Sequence, residues 1–288
     1  MREDILFASG HTACAGCGQA IAARLVIESA GPNTIIANNT GCLEVFSTKY
    51  PESSWGVPWI HSLFENAAAV ASGIESALQY LGKKNIQVIA QAGDGGTADI
   101  GLQALSGMWE RGHNILSICY DNEAYMNTGI QRSSLTPLDS ETTTTPVGEK
   151  SFGNPTLKKP VAEIALAHGI PYVATASVGF PQDLQKKIKK ALSIRGPKYI
   201  QIHVPCPLGW RHEPNLTYRI ARLAVETGLY PLIEYENGVL SSARKISVVA
   251  VEEYLKLQAR FKHLLNNEEE IKKIQEIANN NIKRYSLS

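Results

Sequence analysis

The sequence predicts an α/β fold, a doubly wound parallel sheet followed by a helical C-terminal extension. Short runs rich in β-branched residues alternate with helical stretches along most of the chain. Several runs, such as residues 86–92 and 115–120, are almost continuously apolar, which is typical of parallel strands buried on both faces. Because the links between strands and helices are short, this alternation implies right-handed crossovers within one sheet.

In the first half of the chain, the hydrophobic spacing predicts each element in turn. The predicted elements are a helix at 19–29, a strand at 34–37, an alanine-rich helix at 62–81, a strand at 86–92, a helix from the turn at 93–96 to about 112, and a strand at 115–120. Residues 121–159 lack clear periodicity and are rich in Thr, Ser, Pro and Asn. A segment of that length inside a compact domain favours a functional loop or lid.

In the second half, the alternation continues and then gives way to more strongly charged helices. The predicted elements are a helix at 160–168, a strand at 172–177, a helix at 181–194, a strand at 199–204, an amphipathic helix from 214, a strand pair at 230–236 and 245–250, and a charged helical tail at 252–284. We therefore predict two domains, residues 1–212 and residues 213–288. The second is expected to pack on the core or on a partner subunit.

Composition and charge exclude several classes of protein. The 288 residues are 44% hydrophobic, which is ample for a buried core and excludes a disordered chain. With 28 basic and 27 acidic residues the net charge is +1, and no basic stripe suits nucleic acid. No apolar run approaches the roughly 20 residues that span a membrane, and residues 1–10 lack the apolar core of a signal peptide. We expect a cytoplasmic protein without a membrane or nucleic-acid partner.

The cysteines indicate a metal or redox site. An odd number of them in a chain without an export signal argues against structural disulfides. They are Cys14, Cys17, Cys42, Cys119 and Cys206. The first two form a C-x-x-C pair, whereas Cys42 and Cys206 are isolated. Four thiolates can hold either tetrahedral zinc or an iron–sulfur cluster, and their spacing does not decide between them. Cys119, inside an apolar strand, is expected to be a core residue.

A glycine-rich turn supplies the second candidate site. Gly93–Gly96 follows a buried strand and opens a helix, so its amides would point toward a bound anion. The turn lacks the residues of a nicotinamide or nucleoside triphosphate motif. Asp94 in this turn and Asn122 after the next strand would place two oxygen ligands on adjacent strand ends, which favours magnesium bound with a diphosphate. The alternative is a capping Asp and a turn Asn in unrelated loops.

These residues also carry a family resemblance. Gly93-Asp94-Gly95, followed by the segment Tyr-Asp-Asn-Glu-Ala-Tyr-Met-Asn-Thr-Gly at 120–129, resembles the thiamine diphosphate motif. In detail the chain is similar to the β subunit of the 2-oxoacid:ferredoxin oxidoreductases, from about residue 10 through 210 and again at 253–258. The resemblance implies that the predicted sheet is of the thiamine diphosphate-binding type.

The resemblance also implies the site residues. Its [4Fe-4S] cluster would be held by Cys14, Cys17, Cys42 and Cys206, and its Mg²⁺ by Asp94, Asn122 and the main-chain carbonyl of Ala124. The cofactor-binding residues would be Gly18, Gln19, Cys42, Gly93, Asp94, Gly95, Gly96, Asn122, Glu123, Ala124, Tyr125 and Asn127. Asn127 is the expected catalytic residue, placed near the substrate.

The activity implied by the resemblance is a reversible oxidative decarboxylation. Pyruvate and coenzyme A would give acetyl-CoA and CO₂, with electrons passing through the cluster to ferredoxin. The pyrimidine-binding domain is expected on a separate α subunit, together with a γ subunit and a ferredoxin-like δ subunit, so the isolated chain would be inactive. The alternatives are another 2-oxoacid (branched-chain, 2-oxoglutarate or oxalate), half of a non-redox thiamine enzyme, or a zinc-stabilised binding module.

Overall fold

The computed structural model describes residues 5–288, in which strands and helices alternate as the sequence predicts. The strands are β1 (Thr34–Asn38), β2 (Trp59–His61), β3 (Gln87–Gly93), β4 (Ile115–Asp121), β5 (Val147–Gly148), β6 (Ser151–Phe152), β7 (Tyr172–Ser177), β8 (Lys198–His203), β9 (Ile233–Glu236) and β10 (Val239–Ala243). The α-helices are α1 (Gly18–Ala30), α2 (Cys42–Ser47), α3 (Ala67–Tyr80), α4 (Leu102–Glu110), α5 (Val161–Ala167), α6 (Pro181–Ser193), α7 (Pro207–Trp210), α8 (Thr217–Glu226), α9 (Val251–Leu255) and α10 (Glu268–Tyr285).

The main sheet within residues 5–288 has eight strands in the order β10-β9-β7-β8-β4-β3-β1-β2. The six strands from β7 to β2 are parallel to their neighbours, whereas β9 and β10 add an antiparallel edge beside β7. The predicted doubly wound α/β fold is therefore confirmed. The carboxyl ends of β1, β3 and β4 lie side by side, and such ends are where ligands bind in open α/β sheets.

The apolar strands are explained by burial on both faces of the sheet. Every residue of β4 is buried. Its Leu116 and Ile118 join a hydrophobic cluster with α1 and α6 on one face. Its Ile115 and Cys119 join a second cluster with α3, α4 and α5 on the other face. Cys119 is fully buried, in agreement with the predicted core role.

The C-terminal helices share a third hydrophobic cluster with the preceding part of the chain. Trp210, Ile220, Phe261 and Leu264 all belong to it. The extension thus packs on the core of its own chain. Trp210, which precedes residue 212, and Ile220, which follows it, belong to the same cluster. The division into residues 1–212 and 213–288 stays a prediction. Within the described residues, none of the helices has the length and apolar character needed to cross a bilayer.

Two local predictions differ from the structure, and some short elements were not predicted. Residues 245–250 form no strand; the partner of β9 is β10, which follows a tight turn at Asn237 and Gly238, both with positive φ. Asn-Gly is a strong hairpin signal because both residues tolerate that conformation. The short α2 and β2 were not predicted. The helix expected from the glycine-rich turn begins instead as a wider π-helical turn at Gly95–Asp99 before α4.

Candidate cofactor site

One cavity lies at the carboxyl edge of the sheet, where the loops after β1, β3 and β4 meet. It brings together most of the predicted cofactor residues: Gln19, Cys42, Gly93, Asp94, Gly95, Gly96, Asn122, Ala124, Tyr125 and Asn127. The register of β3 and β4 explains this, because Gly93 pairs with Tyr120 and the two loops therefore leave the sheet next to each other. Lining residues that sequence analysis missed include Asn39, Thr40, Phe64 and Thr128. The sequence could have indicated Asn39 and Thr40, because they directly follow strand β1 and ligands bind at the carboxyl ends of such strands.

The glycines of the turn are required by close packing around the cavity. A Cβ on Gly95 would overlap the ring of Tyr125, and a Cβ on Gly96 would overlap the side-chain amide of Asn39. Asn39 is itself held by a 2.9 Å hydrogen bond that its Nδ2 donates to the carbonyl of Phe64. The glycine-rich turn is thus enclosed by the loops after β1 and β4, which leaves its backbone as the surface presented to a ligand.

Three oxygen atoms converge at the base of the cavity. Oδ1 of Asn122 lies 2.8 Å from the carbonyl oxygen of Ala124 and 3.0 Å from Oδ1 of Asp94. Exchanging oxygen and nitrogen in the Asn122 amide would turn both contacts into hydrogen bonds, and the assignment of such amides rests on their surroundings. With the amide oxygen inward, the three oxygens form a site for a hard cation.

Asp94 is almost completely buried, and its other carboxylate oxygen accepts a hydrogen bond from Oγ of Ser133. Burial raises the pKa of Asp94 well above its usual range, and the nearby charge of Asp121 raises it further. A buried carboxylate is costly to ionise unless a positive charge accompanies it. A divalent cation at the three oxygens would supply that charge.

Gln19 and Asn127 lie at two other positions on the cavity wall. Gln19 lies in the first turn of α1 and is buried. Its Oε1 has no hydrogen-bond partner among residues 5–288. An unpartnered buried acceptor on the wall of a cavity can accept a hydrogen bond from a ligand. Asn127 is exposed on the cavity wall, where an incoming substrate could reach it.

The side chain of Glu123, a predicted cofactor-binding residue, does not line the cavity, and its cofactor role stays a prediction. Its carboxylate accepts a 2.7 Å hydrogen bond from Nζ of Lys158 and another from the guanidinium of Arg260. Burial by itself would raise the pKa of Glu123, but the charges of Lys158 and Arg260 lower it to about 2. Glu123 is therefore an internal ion-pair partner next to the cavity.

The four predicted cluster cysteines lie in one region beside the cavity. Cys17 and Cys206 directly precede α1 and α7, and Cys42 is the first residue of α2. The amide of Gly18 donates a 3.1 Å hydrogen bond to the carbonyl of Pro205, which joins the start of α1 to the segment after β8. Gly18, although absent from the cavity wall, thus brings Cys17 close to Cys206.

The thiols are near enough to affect one another. Burial raises the pKa of Cys42 to about 12, and negative charge on Cys206, Cys17 and Cys14 adds to that rise. Burial likewise raises the pKa of Cys206 to about 11, opposed by the amide of Gly209. Within residues 5–288, no three His, Cys, Asp or Glu side chains converge tightly enough to hold a single metal ion. Cys42 also lines the cavity that contains the three-oxygen site, whereas Cys14 and Cys17 line a separate cavity.

Comparison with known proteins decides the family. Residues 39–202 match the family described as thiamine pyrophosphate enzyme, C-terminal TPP binding domain. The chain belongs to the thiamine pyrophosphate enzymes. Among these enzymes it is 59% identical over 284 residues to pyruvate synthase subunit PorB of Methanosarcina barkeri, which covers 97% of this chain and 96% of the relative. The PorB subunit of Methanocaldococcus jannaschii is 56% identical over 289 residues, covering 98% and 96%.

One further relative and one solved structure are also similar to this chain. Ketoisovalerate oxidoreductase subunit VorB of Pyrococcus abyssi is 50% identical over 273 residues, with 92% of this chain and 88% of the relative covered. The solved 2-oxoglutarate:ferredoxin oxidoreductase from Magnetococcus marinus shares the fold, with a TM-score of 0.57 and 23% identity over 77% of this chain and 78% of that one. The predicted resemblance to 2-oxoacid:ferredoxin oxidoreductase subunits is confirmed.

Proposed function

We propose that this chain is the β subunit of a pyruvate synthase and binds the diphosphate of thiamine diphosphate through Mg²⁺. The convergence of oxygens from Asp94, Asn122 and Ala124 carries the proposal. Octahedral Mg²⁺ binds oxygen at about 2.0–2.1 Å, so neighbouring ligand oxygens lie about 2.9 Å apart. The separations of 2.8 and 3.0 Å from the Asn122 side chain fit this spacing when its amide oxygen faces inward.

The overall reaction converts pyruvate and coenzyme A to acetyl-CoA and CO₂, with two electrons passed to ferredoxin, and is reversible. Thiamine diphosphate, when bound, supplies the carbanion chemistry that decarboxylation of a 2-oxoacid requires. The chain's own residues bind and orient it. The backbone of Gly95 and Gly96 would hold the phosphates, Oε1 of Gln19 would accept a hydrogen bond from the cofactor, and Asn127 would contact the substrate at the exposed end of the cavity.

The same proposal assigns a [4Fe-4S] cluster to Cys14, Cys17, Cys42 and Cys206. Iron–sulfur clusters are held by cysteine thiolates and supply one-electron chemistry. Burial raises the pKa of Cys17 and Cys206, and the backbone amides that follow each of them oppose this rise only in part, so bound iron would have to supply the remaining stabilisation of the thiolates. The location of Cys42, on the wall of the cofactor cavity, supports electron transfer between the two groups over a short distance.

The comparisons support the proposal that this chain works with partner subunits. Its relatives are named as subunits of pyruvate synthase, and the matched family model covers a C-terminal thiamine pyrophosphate-binding domain. We propose an α subunit with the pyrimidine-binding domain, a γ subunit, a ferredoxin-like δ subunit and an external ferredoxin, all in the cytoplasm. We propose pyruvate as the substrate because the two PorB relatives, at 59% and 56% identity, are pyruvate synthase subunits. A branched-chain 2-oxoacid is the second candidate, given the 50% identity to VorB.

The test is Asp94→Asn in the assembled complex, with Mg²⁺-dependent binding of thiamine diphosphate as the measurement. Loss of a direct metal ligand is expected to weaken binding by at least about 100-fold, since removing an outer-shell partner of a metal ligand already costs about 10–100-fold. Glu110→Gln is the control, because Glu110 is an exposed carboxylate on α4. This variant should bind thiamine diphosphate like the wild type. Wild-type affinity in the Asp94 variant would overturn the magnesium assignment.

A further inference from the structure

The turn that carries two of the three converging oxygens contains a residue with unusual backbone geometry. Glu123 lies between Asn122 and Ala124 and has a φ of 68°. A non-glycine residue rarely adopts this left-handed conformation, which raises the energy of the turn unless surrounding contacts hold it. The reversal at Glu123 brings the side chain of Asn122 and the carbonyl of Ala124 to the same point.

The contacts that hold Glu123 come from the C-terminal extension and from the loop before α5. One carboxylate oxygen faces Nζ of Lys158 at 2.7 Å, and the other accepts from Nη2 of Arg260. The side chains of Glu123 and Arg260 are only 4% and 2% exposed. Lys158 also binds Asp121 at 2.8 Å, so two carboxylates and two cations form a charge-balanced group in which only Lys158 is partly exposed. Removal of Arg260 would leave this group with an excess negative charge.

Arg260 is held in turn by a set of contacts that suits a guanidinium. Its Nε donates a 3.0 Å hydrogen bond to Oε1 of Gln258, and its Nη2 lies 3.3 Å from the hydroxyl of Tyr254. Its Cζ lies 3.8 Å from the ring centre of Trp210. A planar cation with several donors can make these contacts together, and a lysine ammonium cannot. Glu123 and Arg260 are 137 positions apart in the chain, and the segment from Tyr254 to Arg260 belongs to the extension.

We propose that Arg260 is a positioning residue, which acts through Glu123 to hold Asn122 and Ala124 where they bind magnesium diphosphate. The C-terminal extension thereby sets the affinity for the cofactor without touching it. This inference rests on the proposed function, because it assumes that the three-oxygen site binds magnesium with thiamine diphosphate.

The experiment compares variants of the assembled, anaerobically purified complex after removal of Mg²⁺ and thiamine diphosphate. Binding of thiamine diphosphate is titrated at several Mg²⁺ concentrations, and kcat is measured at saturating cofactor. Arg260→Met is expected to weaken Mg²⁺-dependent binding by about tenfold, at the lower end of the effect of residues that orient metal ligands. The kcat at saturation should stay within about twofold of the wild type, because Arg260 does not touch the reacting atoms.

Arg284→Met is the matched control. Arg284 also joins the extension to the core, through an ion pair of 2.6 Å with Glu163, and lies over the ring of Tyr285. It contacts neither the turn nor the cavity wall. Because this ion pair is exposed, its loss should lower the melting temperature only slightly and leave cofactor affinity unchanged. If both arginine variants weaken binding equally, Arg260 only stabilises the extension and the positioning role is wrong.

A double-mutant cycle tests whether Arg260 acts through Glu123. In Glu123→Gln, the added change Arg260→Met should have less than a third of its effect in the wild-type background, because the ion pair is already gone. Independent effects of the two substitutions would overturn the proposal. Should Arg260→Met fail to assemble, Arg260→Lys keeps the charge but not the fork; wild-type affinity in this variant would show that geometry at residue 260 does not position the turn.

The two levels of inference fail differently. A wild-type complex that binds no thiamine diphosphate in the presence of Mg²⁺ would overturn the proposed function. A wild type that binds the cofactor normally, with an Arg260→Met variant of equal affinity, would overturn the positioning role alone.

Discussion

Trp210 donates a 2.8 Å hydrogen bond from its indole Nε1 to the main-chain carbonyl of Asn122. The two residues are 88 positions apart, and the indole is fully buried. Trp210 ends α7, the short helix that Cys206 precedes, and its own amide donates to the carbonyl of Cys206 at 2.9 Å. One side chain thus links the segment of the fourth cysteine to the turn of the three-oxygen site.

The first prediction concerns this hydrogen bond. Trp210→Phe keeps an aromatic ring but leaves the buried carbonyl of Asn122 without a partner, which costs about 1–3 kcal/mol of stability. We expect a lower melting temperature and weaker Mg²⁺-dependent binding of thiamine diphosphate. Trp109→Phe is the control, because Trp109 is equally buried and its Nε1 donates to Ser117 at 3.2 Å, inside the second hydrophobic cluster. That variant should lose stability and keep its cofactor affinity; an equal loss of affinity in both would refute the link.

The second prediction separates the proposed cluster ligands from the buried cysteine of β4. Cys206→Ser should reduce the iron and acid-labile sulfide of the anaerobically purified complex, since one of four thiolate ligands is lost. Cys119→Ser should retain both, because Cys119 lies in the hydrophobic core below the sheet edge. Iron and sulfide analysis with visible absorption near 400 nm provides the measurement. The opposite pattern would mean that Cys206 is not the fourth ligand.

The third prediction concerns pH and the buried carboxyl pair of Asp139 and Glu270. Burial raises the pKa of Asp139 to about 6, and the charge of Glu270 adds to the rise. The folded state therefore holds the proton of Asp139 more tightly than the unfolded state. The free energy of unfolding falls as the pH rises from about 4 to about 6 and stays lower above pH 6. Asp139→Asn removes this cost and can donate to Glu270, so the variant should melt at a higher temperature than the wild type at pH 7.5.

The pH dependence gives this prediction its check. Below about pH 4, where the carboxyl is protonated in both states, the advantage of Asp139→Asn should vanish; it should grow between pH 4 and pH 6 and stay constant above. Asp183→Asn provides the contrast, because the carboxylate of Asp183 forms an ion pair of 2.8 Å with the buried Lys187. That variant should melt at a lower temperature at pH 7.5. A pH-independent gain in Asp139→Asn would contradict the titration of this carboxyl.

The strands and the motif loops could be predicted from sequence because their causes are local. Burial on both faces gives β4 its unbroken apolar run, and the turn after β3 is marked by its glycines and Asp94. The strand expected at 245–250 shows where local pattern fails. Ile246 and Val249 are apolar because they pack on the third cluster, and their amides bind the carbonyls of Leu287 and Glu226, which gives them no neighbouring strand.

The ion-pair group behind the cavity could not be predicted for a different reason. Glu123 lies within the recognised motif, and its position alone suggested contact with the cofactor. Its actual partners, Lys158 and Arg260, lie in a long loop and in the extension, where a single basic residue has no periodicity or spacing to distinguish it. Pairings over such chain separations arise only from the folded arrangement of the segments.

The position of the cysteines along the chain has a consequence for the order of folding. All strands from β1 to β8 lie between Cys17 and Cys206. A group bonded to both thiols closes a loop that contains most of the sheet, and loop closure of this length is entropically costly in an unfolded chain. Insertion of the proposed cluster is therefore expected to follow formation of the sheet. A cluster bound by both thiols would lower the conformational entropy of the unfolded chain as a long-range disulfide does, which stabilises the fold by about 4–5 kcal/mol for loops of a hundred residues or more. Oxidative loss of the cluster would then weaken the fold of this subunit as well as its electron transfer.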